Sequence, residues 1–117
     1  MTDALRQYIS TALWSSTDLN GEPLETNYTA DDIGPISLAR MGSDLNKILS
    51  IVHKLLPDID DTDVAHDFWL SRNGHGSGFF DRFKQYDRYC DVLQEIAHLF
   101  GEQSLVLTDD NYLTVYE

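Results

Sequence analysis

Hydrophobic positions recur along this chain with two different periods, and the switch between them outlines the architecture. Leu5, Tyr8, Ile9, Ala12 and Leu13 occupy i, i+3, i+4, i+7 and i+8, so one helical face is apolar and an amphipathic helix is predicted over 3–14. Thr2 or Asp3 can cap it, and an acid there also favours the helix dipole. Residues 15–29 hold Gly21, Pro23 and Asn27 with few apolar side chains and read as a loop anchored by Leu24 and Tyr28. A second helix is expected from Asp31 or Asp32, with Pro35 tolerated in its first turn. Met41, Leu45, Ile48, Val52 and Leu55 mark its buried face and Pro57 stops it. Gly42 costs about 1 kcal/mol in a helix interior and allows a kink or break there.

Beyond an acidic turn at 58–63, Val64, Ala65, Phe68 and Trp69 recur at helical spacing. Asp61 or Thr62 supplies a cap and Asn73-Gly74 a C-terminal stop. The competing reading makes 68–71 and 78–81 the arms of a hairpin turned at Asn73-Gly74, but it leaves a long glycine-rich loop; the helix is preferred. Tyr89, Val92, Leu93, Ile96, Ala97 and Phe100 give a further helix over 86–100, ended by Gly101. The period then falls to that of strands. Residues 105–108 and 112–116, rich in β-branched and aromatic side chains, flank Asp109-Asp110-Asn111 and predict a β-hairpin. The expected fold is α+β and mainly α: about four helices and a C-terminal antiparallel β-hairpin in one compact domain spanning 1–117, with no internal repeat or dividing linker.

Charge narrows the function classes. Twenty acids against eight bases give a net charge of −12. Broad binding to a phosphate backbone, which needs Lys and Arg to displace counterions, is therefore disfavoured. An acidic surface favours basic partners. The bases are unevenly placed, with Arg72, Arg82, Lys84 and Arg88 in one short stretch, while 17–32 and 57–67 carry only acids. Cys90 is the single cysteine, so no internal disulfide can form, which suits a reducing compartment. No leader-like or membrane-length apolar run is seen, and the chain is expected in the cytoplasm.

Candidate chemistry concentrates at 66–82, where aromatics, charges, His66, His75 and three glycines interleave. The run Asn73-Gly74-His75-Gly76-Ser77-Gly78 lacks the Gly-Lys-Ser/Thr of a phosphate loop and the preceding strand of a dinucleotide fold. It reads either as a tight connector that folds Trp69 and Phe79 back on each other, or as a binding loop. His75, set between glycines, is the candidate general base if the protein is an enzyme, oriented by Asp67 or Asp81. His66, His75, Asp67 and Asp81 lack the spacing of a zinc helix, so no metal or cofactor is assigned. His53 and His98 fall on helices and read as surface residues. Asp58-Ile-Asp60-Asp61-Thr62-Asp63 fails the EF-hand pattern, which needs glycine where Asp63 stands and glutamate where Trp69 stands. Ser71 and Ser77 lie outside any nucleophile elbow. The cations interleaved with Trp69, Phe79, Phe80, Tyr86 and Tyr89 read first as core aromatics with cations paired to Asp81, Asp87 and Asp91; as a site they suit a protein interface rich in Trp, Tyr and Arg or, less well given the charge, single-stranded nucleic acid.

The string Ala65-His66-Asp67-Phe68-Trp69-Leu70-Ser71-Arg72-Asn73-Gly74-His75-Gly76-Ser77-Gly78-Phe79-Phe80-Asp81-Arg82 resembles a signature of small uncharacterised bacteriophage, prophage and plasmid proteins. In those the stretch reads close to Gly-His-Asp-Phe-Trp-Leu-Thr-Arg-Asn-Gly-His-Gly-Ala-Gly-Phe-Trp-Asp-Arg. The run from Ala12 to Asp18 and Gly21-Glu22-Pro23-Leu24 also resemble their N-terminal portions. Ala65, Ser71, Ser77 and Phe80 depart mildly from the pattern. What the resemblance implies is an origin on a mobile element rather than a reaction. By analogy with small acidic phage proteins, the expected role is to bind and modulate or inhibit a host protein machine, such as a defence nuclease complex or polymerase. The expected contact residues are Trp69, Arg72, Asn73, His75, Phe79 and Arg82. The alternatives are a small hydrolase or nuclease using His75, Asp67 and Asp81, and a single-stranded nucleic-acid binder.

Overall fold

The computed structural model describes residues 1–116. Its elements in chain order are α1 (Asp3–Ser15), α2 (Pro35–Leu55), α3 (Asp61–Arg72), the one-turn α4 (Phe83–Tyr86), α5 (Cys90–Leu99), β1 (Ser104–Leu107) and β2 (Leu113–Tyr116), with 3-10 turns between several of them. The protein is mainly α with a C-terminal antiparallel hairpin, as the periodicities predict.

The local chemistry explains each boundary. The Thr2 hydroxyl accepts a hydrogen bond from Leu5 N–H and caps α1. Helix α2 starts at Pro35 rather than at Asp31, because Thr29 and Asp32 close a separate 3-10 turn with a reciprocal capping box. It then runs unbroken through Gly42, which faces Leu5 of α1, so the missing side chain serves helix approach instead of a kink. Asp60, not Asp61 or Thr62, caps α3 by accepting from Thr62 N–H.

Helix α3 is the centre of the molecule. Eight of its twelve residues are buried, including Asp67, Ser71 and Arg72, so it is enclosed rather than amphipathic. It packs against α1, α2 and α5. Tyr8 stacks on Phe68 and meets Trp69 edge-on, and Phe68 meets Phe100 edge-on. These aromatics join Met41, Leu45, Ile48, Val52 and Leu93 in one continuous core.

The expected single helix over 86–100 is divided. Tyr86 ends α4, Asp87 takes a positive φ of 52°, and α5 proper begins only at Cys90. The break turns Tyr86 inward, where it is fully buried. The hairpin lies against α2: Ser37 Oγ bonds Thr114 Oγ1 at 2.8 Å and accepts from Val115 N–H at 3.1 Å, while Gly34 N–H donates to the Leu113 carbonyl at 3.0 Å. No helix among the described residues is long and apolar enough to cross a membrane.

Candidate functional site

The glycine-rich signature begins where α3 ends. Gly74 N–H donates to Ser71 C=O and His75 N–H reaches back to Leu70 C=O, the paired bonds of a glycine-terminated helix. The chain then returns over α3. Phe79 N–H donates to Ser71 Oγ at 2.8 Å, and Gly78 sits so close that an added Cβ would lie 2.2 Å from Ser71 Oγ and 3.1 Å from the Asp67 carbonyl oxygen. With φ of 131°, Gly78 also occupies backbone space that only glycine enters without strain. The segment 74–79 is thus a tight return over α3 that leaves His75 exposed.

Arg72 is the most heavily used side chain of the signature. It is fully enclosed, its guanidinium 5.2 Å from the Phe68 ring centroid and 5.8 Å from that of Phe100. Nε donates to Gly101 C=O at 2.9 Å, Nη2 to Phe100 C=O at 3.1 Å, and Nη1 to Asp44 Oδ2 at 2.9 Å and Tyr8 Oη at 3.1 Å. The cation thus meets the carbonyl end of α5, where the helix dipole favours it, and ties α1, α2 and α3 to that end. Burial holds the Tyr8 phenol up to about 12, against the pull of Arg72.

A second polar cluster surrounds Asp67, which is also fully buried. Its Oδ2 accepts from Tyr86 Oη and lies 3.0 Å from Arg82 Nε, an ion pair that lacks hydrogen-bond alignment. Its Oδ1 pairs with His66 Nδ1 at 3.0 Å. Burial pushes the Asp67 carboxyl upward, opposed by Tyr86, His66 and Arg82, and burial followed by the Asp67 charge raises the Tyr86 phenol. His66 is one-third exposed and its ring stacks 6.2 Å from Trp14.

Several expectations are therefore corrected. Trp69, Arg72 and Phe79 are interior residues, not an exposed contact surface. Trp69 donates through Nε1 to Ser15 Oγ at 2.9 Å, and Phe79 packs edge-on against Tyr86. Arg82 braces Asp67. Asp81 caps its own turn by accepting from Gly78 N–H at 3.1 Å. The histidine oriented by Asp67 is His66, not the exposed His75. Sequence reasoning weighed His66 only as a metal candidate and missed its pairing with Asp67, because adjacent helix residues ordinarily point apart. Among the described residues no group of three or more His, Cys, Asp or Glu side chains is placed to hold a metal ion.

What the structure does bring together is Trp69, Asn73 and His75. They line a groove of about 410 Å³ whose other walls are 15–17 at the end of α1 and 102–106 leading into and along β1. Asn73 is pinned there from both ends of its amide: Nδ2 donates to Trp69 C=O at 3.0 Å and Oδ1 accepts from Gln103 N–H at 2.8 Å. Scans against protein-family models, curated proteins and solved structures each return no match.

Proposed function

We propose that this chain is a small acidic protein of mobile-element origin that binds a host protein machine in a one-to-one complex and modulates or inhibits it without turnover. The observation that carries the reading is the groove beside the His75 turn. There, Asn73 and His75 of the resembling signature meet β1 and the segment leading into it, while its charged residues Arg72 and Asp67 are committed to bracing the core. A net charge of −12 supports a partner with a basic contact surface.

The test is capture from host extract on the full chain, followed by light scattering on the purified complex. One discrete partner at near one-to-one mass, weakened by His75→Ala in a protein whose circular dichroism is unchanged, is expected. Arg72 is unsuitable for this test, since its loss would unfold the site rather than probe the contact.

A second reading, a His/Asp-dependent hydrolase, is favoured by the Asp67–His66 pair, which leaves His66 Nε2 for proton transfer. It predicts substoichiometric turnover that is lost in His66→Ala and kept in His75→Ala.

A further inference from the structure

The two outer edges of the hairpin differ. In the antiparallel register Leu105 lies opposite Val115 and Leu107 opposite Leu113, and Thr108 N–H donates to Tyr112 C=O. Hydrogen-bonded pairs alternate along such a ladder, so Val106–Thr114 and Ser104–Tyr116 are bonded across the hairpin. The main-chain groups of Leu105 and Leu107 therefore point away from β2, and those of Leu113 and Val115 away from β1. On the β2 side two of these four outward groups are met: Gly34 N–H donates to Leu113 C=O and Val115 N–H donates to Ser37 Oγ. On the β1 side Asn73 Oδ1 takes Gln103 N–H, in the place a neighbouring strand's carbonyl would occupy. The next rungs, at Leu105 and Leu107, have no main-chain partner among the described residues, and Leu105 lines the groove of about 410 Å³.

We propose that this edge of β1 is a peptide-binding site that takes an extended, basic segment of a partner protein as a third strand, continuing from the rung already filled by Asn73. The inference rests on the binding function proposed above and names the chemistry of the contact. Strand addition supplies main-chain bonds, and alternate side chains of the incoming segment fall toward the groove wall. The run Ser104-Leu105-Val106-Leu107 carries no charge, proline or bulge, the devices by which exposed edges are usually guarded. Glu102 is the charged side chain of the groove lining, His75 lies at its rim, and the whole chain is strongly acidic, so a Lys- or Arg-bearing segment is complementary. The same charge argues against a second copy of this chain, because edge-to-edge pairing would bring two bodies of −12 together.

The test uses the full chain and a fluorescein-labelled peptide of alternating Lys and Val, read by anisotropy, with a Glu/Val peptide as control. Saturable binding of the Lys/Val peptide alone is expected. Leu107→Pro removes an outward N–H without touching the bonds to β2 and should weaken binding about tenfold, one hydrogen bond's worth. A second measurement leaves the protein intact: peptides N-methylated at alternate residues. One set should lose at least about tenfold and the other should bind as before, a parity that only strand pairing produces. Equal loss in both sets, equal binding of the Glu/Val peptide, or no binding overturns the proposal. So does self-association that Leu107→Pro abolishes, which would make a second copy the occupant. A host partner that is still captured at full strength by Leu107→Pro overturns the edge assignment alone. Failure to capture any partner, with the peptide bound in the expected parity, overturns the binding function proposed above instead.

Discussion

Replacing Arg72 by Met separates a structural brace from a contact residue. Methionine keeps much of the side-chain length but no donor. Two carbonyls at the end of α5 and the Tyr8 hydroxyl would lose their partner inside the protein, while Asp44, partly exposed, could regain water. Removing one member of a buried charge pair costs about 3–5 kcal/mol, and each stranded buried acceptor about 1–3 kcal/mol. Partial hydration of Asp44 and settling of the α5 terminus keep the sum near the lower figures, so about 3–5 kcal/mol is expected. That is a large share of the roughly 5–15 kcal/mol of a typical domain and corresponds to a fall in Tm of about 12–20 °C for a chain of this size. The assay is urea unfolding followed by the fluorescence of buried Trp69, with the slope held equal between variants. Arg72→Lys should recover only part of the loss, because a single ammonium cannot reach carbonyls and carboxylate as a planar fork does. A change within about 0.5 kcal/mol, the usual range for a surface substitution, would refute the brace.

Further predictions follow from the same geometry. Gly78→Ala should cost about 2–4 kcal/mol through backbone strain and overlap with Ser71, whereas Gly74→Ala, with open space around it, should cost about 1–2 kcal/mol; chemical denaturation compares them. In a spectrophotometric titration Tyr8 and Tyr86 should ionise above the ordinary tyrosine range. Their phenols are raised by folding, so this stability is complete below the unfolded value near pH 10 and lost as pH rises above it, making alkaline unfolding cooperative with their ionisation. His53, bonded to Asp61 and to the Pro57 carbonyl, should titrate above the ordinary histidine range by NMR and fall back in Asp61→Asn. Because folding raises that value, its small contribution is present below about pH 6.5 and fades as pH rises through the folded value.

The helices and hairpin were legible because each buries one periodic face, so period and caps alone placed α1, most of α2, α3 and both strands. The start of α5 was not. The apolar spacing of Tyr86 and Tyr89 runs straight across the break at Asp87, and the break exists because Tyr86 turns to the buried Asp67, a contact across 19 positions. The site was misread for a related reason. A run of three glycines interleaved with His75 and Ser77 and flanked by Arg, Asn and Asp has the composition of a surface, and burial of Arg72 depends on acceptors brought from α1, α2 and the end of α5. Leu105 and Leu107 carry no side-chain signal either. Their significance lies in main-chain groups that are open, whereas Leu113 C=O and Val115 N–H on β2 are met.

Amide exchange at single-residue resolution, on the free chain and on its complex with the captured host partner, tests the central claim most directly. In the free protein the amides of Leu105 and Leu107 should exchange much faster than those of Ser104 and Val106, and binding should slow Leu105 and Leu107 selectively. Protection of Leu105 and Leu107 already equal to that of their neighbours in the free chain, or unchanged in the complex, would contradict the account.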